Sequence, residues 1–478
     1  MLAFKKKLLM KKLLRYSTVC LLLLTAFGSC KKYLDINKNP NAAEEPPISG
    51  LLANTTYNTA YEVYSASNYT SYYVQYLASP NPASDVDIYN TVDPSTTWYR
   101  FYNIMTDLYD MRKFAVQKGQ TDHVAISDIL MALHINMATN LWGDIPYSEA
   151  FIGVNNLTPA FDNQQALFDT ALNMLDAGIT LLQPINDTTI VDSTSDFIHN
   201  GQTSAWLKTA HALKARMLNQ LSKTNSYSPD AVLAELQNAY TSNRDDAQVT
   251  SFEVRNPWAQ VALDNAGLDL DGWLSAYFVG VTKDSIYDVF DPRLPLIGTI
   301  TRYGDYRGTP NGKGRTGTGT ENKESYLAVG GWYSSDNSPL QIITYSECKF
   351  IEAEAQFRKG NKNTAYAAYM EGITANMEKM GVAETAITDY TTNPVVAVGA
   401  DALTLQRIMA EKYVACFLSP VTWDDMRRMD YDYKGFMLPQ NAALNTFIRR
   451  LSYPVNESSA NSAHVPDVQL TDKLWWDQ

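Results

Sequence analysis

The most regular pattern of apolar and polar positions lies between residues 345 and 380, in YSECKFIEAEAQFRKGNKNTAYAAYMEGITANMEKM. A period near 3.6 residues predicts two helices here, joined by a tight turn. The first helix has two apolar stripes, so we expect neighbours to pack on both of its sides. Gly360 suits the left-handed position that follows a helix, and Asn363 is expected to cap the second helix.

The same period recurs along most of the chain and predicts a mainly α protein. Two irregular stretches interrupt it: residues 79–97, which contain prolines, and residues 251–339, a loop-rich insertion with many Gly, Asp, Pro and aromatic residues. The apolar pattern of residues 51–76 fades around Ser67. The repeated pairing resembles tetratricopeptide-like helix pairs, although an ordinary helical hairpin gives the same pattern. Further helices are predicted at residues 98–118, 121–141, 164–182, 204–221, 231–240 and 402–418, with a short one from residue 423.

The amino-terminal residues have the order that is typical of an exported lipoprotein. A basic segment precedes the apolar run VCLLLLTAF, which is followed by a glycine, a serine and Cys30. This resembles a bacterial lipoprotein signal peptide at residues 1–29, with Cys30 as the lipid anchor; a plain signal peptide with an incidental cysteine is the alternative. Residues 30–50 are then a lipid-anchored tether to a single domain at residues 51–478. No later stretch is expected to span a membrane, so the lipid would be the only anchor.

The charge of the chain argues against a nucleic-acid partner. The formal net charge is −12, and residues 1–29 hold six basic and no acidic side chains, so the remainder carries −18. A surface of this sign repels phosphate backbones.

The histidines and cysteines show no metal or catalytic pattern. His123 and His134 have no acidic or cysteine partner at ligand spacing, so we expect structural or surface histidines. Cys348 and Cys416 lie among apolar residues in predicted helices and are expected to be buried free thiols, although export would permit a disulfide. The sequence therefore predicts no catalytic residue, no metal and no cofactor.

Five short motifs together resemble one known family. They are CKKYLDINKNPN, LWGDIPYSEAF, ECKFIEAEAQFRKGN, RRLSYPVNESSAN and the closing LWWD. In their order and spacing they resemble the SusD/RagB family of Bacteroidota outer-membrane lipoproteins, in its second, SusD-like branch. The resemblance implies one mostly helical domain with tetratricopeptide-like helix pairs and a large irregular ligand-binding part. It also implies a cell-surface protein that binds oligosaccharides, or in some cases peptides, and covers a SusC-type TonB-dependent transporter. None of the five motifs carries a ligand-contacting residue over to this chain.

A sugar-binding site needs exposed aromatic rings beside amide or carboxylate groups, because sugars present apolar C–H faces and hydroxyls. Two stretches offer such rings, and both are expected to be irregular and exposed. Trp332 is the foremost candidate, because the two glycines before it are expected to leave its face open. Core packing is the alternative for each ring. The candidate ligand-binding residues are Asn68, Tyr69, Tyr72 and Tyr73 in the first stretch, and Tyr303, Tyr306, Trp332 and Tyr333 in the second.

Two other functions remain as alternatives. A secreted glycoside hydrolase would need two carboxylates facing a cleft, and no acid pattern in the sequence marks such a pair. The acids and arginines of WDDMRR, residues 423–428, have the order that suits a helix dipole, so no catalytic role is predicted for them. A protein-interaction scaffold without a small ligand would account for the helix pairs, but it has no need of the aromatic, glycine-rich insertion.

Overall fold

The computed structural model describes residues 45–185, 191–268, 271–318 and 321–478, together with residues 6 and 10. Residues 48–478 form one compact unit and residues 1–47 another. Cys30 and the signal segment, apart from residues 6 and 10, lie outside the described residues. The division into signal peptide, tether and single domain therefore stays a prediction.

Six helices build the first half of the compact unit, and helices that follow each other in sequence pack against each other. The predicted helix at residues 164–182 has the predicted bounds, since Asn163 accepts hydrogen bonds from the backbone N–H groups of Gln165 (3.0 Å) and Ala166 (3.4 Å). Gly119 ends the second helix in the left-handed conformation, at φ 67°. The helices are α1 (Ile48–Tyr73), α2 (Ser95–Lys118), α3 (Thr121–Trp142), α4 (Gln164–Leu182), α5 (Thr203–Gln220) and α6 (Pro229–Leu236).

Helix α1 continues through the point at which the apolar pattern fades. Its buried face carries hydroxyl side chains, and the Oγ atoms of Thr55, Thr59 and Ser67 donate to backbone carbonyls four residues earlier, at 2.7–2.8 Å. These bonds satisfy the hydroxyls inside the core, and Ser67 Oγ also lies 2.7 Å from the carbonyl oxygen of Leu418. The buried face of α1 is therefore partly polar in sequence, which explains why an apolar period does not reveal it.

Helix α3 is the central helix of this half. It is long and apolar enough to cross a membrane, which corrects the expectation that no later stretch has that length; its apolar part is, however, wholly buried inside the protein. His134 Nε2 lies 2.9 Å from Thr59 Oγ1, and burial lowers the pKa of His134 to about 3. His123 is buried beside Asp122, with Nδ1 3.0 Å from Oδ1. Both histidines are structural, as predicted.

The loop-rich insertion rises from a two-stranded stem. Strand β2 (Ala247–Val249) precedes it and pairs antiparallel with β4 (Leu340–Ile343), which follows it. A second antiparallel pair joins β1 (Leu77–Ala78), just after α1, to β3 (Trp273–Leu274) within the insertion. The described part of the insertion also holds three α-helices, which are α7 (Pro257–Leu268), α8 (Ala276–Thr282) and α9 (Leu294–Ile297).

The predicted hairpin at residues 345–380 is present, and its first helix is buried on two sides. Gly360 adopts φ 85° after the first helix, as predicted. The predicted cap is wrong: Asn361, not Asn363, precedes the second helix, and its side chain makes no capping hydrogen bond. A Cβ on Gly372 would lie 3.0 Å from the Phe350 ring, so this glycine lets the two helices approach closely. The helices of this half are α10 (Tyr345–Lys359), α11 (Lys362–Met380), α12 (Glu384–Thr392), α13 (Leu405–Ala415), α14 (Val421–Arg428) and α15 (Val455–Ala460).

A buried ionic network joins α14 to the hairpin. Arg428 Nη2 lies 2.5 Å from Glu354 Oε2 and 2.7 Å from Asp425 Oδ1. Arg358 Nε and Asn219 Nδ2 donate to the two oxygens of Glu354, at 2.8 and 2.9 Å. The charges of WDDMRR are thus more than a helix-dipole arrangement, because they neutralise a carboxylate from another helix.

Motif segments that are far apart in sequence meet in space. The Arg450 guanidinium donates to the carbonyl of Trp142 and, at 3.0 Å, to the hydroxyl of Tyr453. The Tyr453 hydroxyl donates to the carbonyl of Asp144 at 2.7 Å. Gly143 has φ 84°, and a Cβ there would lie 3.1 Å from the Arg450 guanidinium. The motifs LWGDIPYSEAF and RRLSYPVNESSAN therefore act as scaffold.

Both remaining cysteines are buried and free, as predicted. Burial raises the pKa of the Cys348 and Cys416 thiols well above the usual range, so both are uncharged at neutral pH. The fold is mainly α, with tetratricopeptide-like helix pairs and an irregular insertion.

Candidate functional site

Several large apolar side chains of the loop-rich insertion are exposed. Contiguous exposed apolar groups on a folded protein often mark a binding surface. Polar and charged side chains of the same segment surround them, which favours a ligand with both apolar and polar faces. The exposed apolar residues of the insertion are Val254, Phe290, Ile300, Tyr303 and Val329.

Tyr303 stands at the tip of a tight turn and is 49% exposed. The N–H of Gly304 donates to the carbonyl of Thr301 at 3.0 Å, and the N–H of Thr301 donates to the carbonyl of Asp305 at 2.8 Å. Gly304 adopts φ 80°, which its lack of a Cβ permits. The sequence T-R-Y-G-D thus closes a rigid turn that presents the tyrosine ring.

Two guanidinium groups flank the Tyr303 ring. The Arg307 guanidinium carbon lies 4.1 Å from the ring centroid, a close cation–π contact. The Arg302 guanidinium carbon lies 5.0 Å from it, and Arg302 Nη2 donates to the tyrosine hydroxyl at 3.2 Å. The ring is therefore held in place by its neighbours before any ligand arrives, which lowers the entropy cost of binding.

Asp305 provides a carboxylate beside this ring. The Thr301 hydroxyl donates to Asp305 Oδ1 at 2.6 Å, and Arg307 Nε donates to both carboxylate oxygens at 2.9 and 3.0 Å. The hydroxyl and then the guanidinium lower the pKa of Asp305, so the carboxylate is ionised at neutral pH. Lys283 Nζ lies 3.9 Å from Asp305 Oδ2. Ionised and cationic groups thus lie within one small area.

A second aromatic pair extends the same surface. The rings of Tyr306 and Phe290 have centroids 6.2 Å apart, with Tyr306 half-buried and Phe290 exposed. The backbones of Phe290 and Lys283 form an antiparallel β-bridge. Because Lys283 also lies beside the Asp305 carboxylate, this bridge connects the aromatic pair to that carboxylate. We name this surface the Tyr303 patch, and it comprises Lys283, Phe290, Tyr303, Asp305, Tyr306 and Arg307.

A cavity of about 320 Å³ lies next to α8, whose following turn also supplies the Tyr303 patch. Tyr277 lines it from α8, and Met437 and Leu438 line it from the carboxy-terminal segment. Gln75 Nε2 donates to the Met437 carbonyl at 2.6 Å, which fixes that segment against the end of α1. The cavity is lined mainly by apolar groups.

Residues 79–94 are held against the insertion close to this cavity. Asn311 Nδ2 donates to Asp87 Oδ1 at 2.6 Å, and the Gly312 N–H donates to Asp87 Oδ2. Burial raises the pKa of Asp87 to about 6, and these two bonds oppose the effect of burial. A Cβ on Gly314 would lie 2.7 Å from the Pro82 nitrogen, so the two loops touch through their backbones.

Trp332 does not have the open face that its glycines were expected to leave. Its ring is half-buried, lies 4.6 Å from the Tyr333 ring between centroids, and has Lys379 Nζ 6.0 Å from its centroid. A Cβ on Gly331 would come within 3.0 Å of the Ala328 carbonyl oxygen. The glycine therefore permits close backbone packing and does not expose the tryptophan.

The expectation of exposed rings is also wrong for Tyr72, Tyr73 and Tyr333, which are all buried. Tyr73 packs against Trp423 with centroids 5.1 Å apart, and Tyr333 packs against Phe417 at 5.1 Å. These rings are part of the core because they lie on the buried side of their segments. Burial raises the pKa of each of the three hydroxyls.

The first predicted stretch is regular helix and not an irregular segment, since residues 68–73 end α1. Asn68 is exposed and Tyr69 is half-buried on that helix. Within the described residues, no ring contact joins Tyr69 to Tyr303 or Trp332. Tyr303 and Tyr306 are thus the predicted candidates that share one surface. The ligand-contacting role of all eight candidates stays a prediction.

Sequence reasoning missed Asp305 and Arg307, which complete the patch. The signal was present in RYGDYR, residues 302–307, where aromatic and charged residues alternate around one glycine. Such a run cannot pack its charged groups in a core, so its rings are held near the surface with them.

The chain matches a family model described as SusD-like and as "starch-binding associating with outer membrane", over residues 40–454. Among curated proteins, no sequence matches this chain significantly.

Several solved structures have the same fold. A SusD/RagB family protein from Bacteroides thetaiotaomicron is 21% identical, with a TM-score of 0.74 over 91% of this chain and 99% of its own. A chitin-binding SusD homolog from Flavobacterium johnsoniae is 20% identical, with a TM-score of 0.76 over 90% of this chain and 98% of its own. A SusD homolog from Bacteroides fragilis is 20% identical, with a TM-score of 0.75 over 91% of this chain and 100% of its own. At these identities the likeness shows the fold alone, whereas the family model matches most of the sequence. The chain therefore belongs to the SusD-like branch of the SusD/RagB family.

Proposed function

We propose that this protein captures oligosaccharides at the Tyr303 patch and delivers them to a SusC-type TonB-dependent transporter in the outer membrane. One observation carries the proposal: an exposed tyrosine ring is fixed on a rigid turn between two guanidinium groups and an ionised carboxylate. The exposed part of the ring offers apolar surface for sugar C–H groups, and the charged groups offer hydrogen bonds to hydroxyls. The family description as starch-binding and a chitin-binding relative support a glycan over a peptide.

The patch is suited to binding and not to glycoside hydrolysis. A hydrolase needs one carboxylic acid that stays protonated near neutral pH, so that it protonates the leaving oxygen. The pKa of Asp305 is shifted in the opposite direction, because hydrogen bonds stabilise its charged form. We therefore assign no catalytic step to this site.

The location in the outer membrane follows from the family, and lipidation at Cys30 is our proposal for how the protein is held there. In this arrangement, the lipid on Cys30 inserts in the membrane and residues 31–47 connect it to the folded unit, which begins at Ile48. The binding unit then faces the cell exterior beside the transporter.

Calorimetry on the full chain tests the binding site. Maltooligosaccharides and chitooligosaccharides are titrated into the wild-type protein and into Tyr303→Ala. Loss of the ring is expected to weaken binding of the preferred oligosaccharide at least tenfold, which is about 1.4 kcal/mol. Tyr109→Ala is the matched control, since Tyr109 is 39% exposed on α2 and packs against Phe151. Equal affinity of wild type and Tyr303→Ala would place the glycan elsewhere, and binding of peptides alone would change the ligand class.

A pull-down from native outer membranes tests the transporter. The tagged full chain is expected to retain a large TonB-dependent barrel in mild detergent. Recovery of the lipoprotein without such a barrel, in several detergents, would contradict this part of the proposal.

A further inference from the structure

A groove lies between α1 and α2, on elements that do not contribute to the Tyr303 patch. Its volume is about 500 Å³. The side chains that line it lie four residues apart on α1 and three or four apart on α2, so each helix turns one polar stripe toward the groove. They include Asn54, Asn58 and Glu62 from α1, and Tyr99, Arg100 and Asn103 from α2.

Glu62 lines this groove, and within the described residues its carboxyl group has no hydrogen-bond partner. The residue is 1% exposed, and neither carboxyl oxygen has a hydrogen-bond partner in the part of the chain that the structure describes. Buried polar groups in native proteins nearly always have partners, because an unsatisfied one costs about 1–3 kcal/mol. An orphaned carboxyl that lines a groove is therefore a group whose partner comes from outside the fold.

The charge state of Glu62 limits what that partner is. Burial raises the pKa of Glu62 well above its usual range, and the Arg100 guanidinium opposes this only in part. A protonated carboxyl both donates and accepts hydrogen bonds. A cationic ligand is disfavoured by Arg100, which lines the same groove and is exposed at its edge.

The remaining lining groups fit a neutral ligand with hydroxyls. Asn58 Nδ2 donates to Asn54 Oδ1 at 2.7 Å, and Asn54 Nδ2 donates to Asp107 Oδ2 at 2.5 Å, so the amides of α1 are held in one row. Amides donate and accept, as hydroxyls do. Tyr99 is 48% exposed beside them and offers an aromatic face.

We propose that this groove binds a single sugar unit, with Glu62 bonding its hydroxyls and Tyr99 packing against its C–H face. The inference goes beyond the proposed function, because the groove is built by α1 and α2 and the Tyr303 patch by the insertion. Either site is able to bind when the other is removed.

Stability and binding respond oppositely to loss of Glu62 if the groove is a binding site. Glu62→Met removes an unsatisfied buried carboxyl and keeps the side-chain volume, so it is expected to raise the urea midpoint of unfolding. Glu62→Gln keeps a group that donates and accepts, as the protonated carboxyl does. A residue that serves only the fold would not gain stability and lose ligand in the same variant.

The test uses free glucose and N-acetylglucosamine as probes, measured by saturation-transfer NMR titration. The protein is the full chain carrying Tyr303→Ala, purified in a detergent without a sugar headgroup, so that neither the patch nor the detergent contributes. We expect one of the two sugars to bind, Glu62→Gln to change the affinity less than threefold, and Glu62→Met to weaken it at least tenfold. Tyr99→Ala is expected to weaken binding as well, whereas Tyr109→Ala on the same helix leaves it unchanged.

The outcomes separate the two proposals. Absence of binding by both sugars, or an unchanged affinity in Glu62→Met, overturns the groove site. If Glu62→Met fails to fold, Tyr99→Ala gives the same decision from an exposed position. A third outcome is that the groove binds sugar while Tyr303→Ala leaves the oligosaccharide affinity unchanged. This result would refute the function proposed for the patch and would support the groove site.

Discussion

Replacement of Glu354 by glutamine should destabilise the fold strongly, because Glu354 joins the hairpin to α14. The carboxylate is fully buried and accepts hydrogen bonds from Arg428, Arg358 and Asn219. Burial alone would raise the pKa of Glu354, but Arg428, Arg358 and Lys412 outweigh it and the pKa is lowered. The charged form is thus the one that the fold stabilises.

The expected loss in the free energy of unfolding follows from the buried Arg428 charge that the variant leaves without Glu354. Glu354→Gln keeps the size of the side chain but removes the charge that neutralises Arg428. Breaking a buried ion pair from one side typically costs about 3–5 kcal/mol. Arg428 keeps Asp425 at 2.7 Å, so we expect the lower end, about 3 kcal/mol.

Urea denaturation at pH 7 measures this loss, because urea does not screen charges as guanidinium salts do. Since the pKa of Glu354 is lower in the folded state, its contribution is complete above the unfolded pKa and is lost as the pH falls. The difference between wild type and variant should therefore shrink in acid. Lys362→Gln is the matched control, since Lys362 pairs with Asp401 in an exposed ion pair and its loss should leave the midpoint unchanged.

A double-mutant cycle measures the coupling between Glu354 and Arg428. Glu354→Gln and Arg428→Met should each destabilise strongly, and the double variant should lose less than the two losses combined, because the buried Arg428 charge is then removed together with the carboxylate that neutralises it. Additive losses, or a midpoint unchanged by Glu354→Gln, would show that the network does not hold α14 to the hairpin.

Three further predictions concern packing and anchoring. Gly372→Ala should lower the urea midpoint because its Cβ would meet the Phe350 ring at 3.0 Å, whereas Gly267→Ala, with no atom within 4 Å, should raise it. Trp332→Ala should destabilise by about 2 kcal/mol, as its ring is half-buried, and an unchanged midpoint would show that its contacts with the core are weak. Cys30→Ala should release the protein from the membrane fraction into the soluble fraction, and a variant that still pellets with outer membrane would disprove the anchor.

The helices that the sequence predicts best are those whose signals are local. Asn163 lies one residue before α4, and Gly360 lies one residue after α10. These start and stop signals are therefore adjacent in sequence to the helical apolar period. The apolar period predicts only the first half of helix α1. Hydroxyl side chains such as those of Thr55 and Thr59 occupy its buried face and donate hydrogen bonds to carbonyls of the same helix.

The features that the sequence does not reveal depend on distant partners. Glu354 and Arg428 are 74 residues apart, so nothing near either residue shows that both are buried. The glycines before Trp332 predict an open ring, whereas in the structure Gly331 lets its backbone pack closely against that of Ala328. Tyr303 is exposed as expected, because charged neighbours on the same short turn keep it at the surface. The patch is therefore half predictable: its rings have a local signal, whereas the contact between Lys283 and Asp305 has none.

The central position of α3 has a consequence for export. On the proposed route the chain crosses the inner membrane unfolded, and α3 then presents a segment with the length and apolarity of a membrane span. A translocon that released this segment sideways into the lipid would trap the protein in the wrong membrane. Asp128 stands within the segment, and an aspartate near the centre of a span disfavours insertion by about 3 kcal/mol. In the finished fold Arg112 Nε lies 2.6 Å from this carboxylate, so the charge that disfavours insertion into lipid is paired once folding is complete.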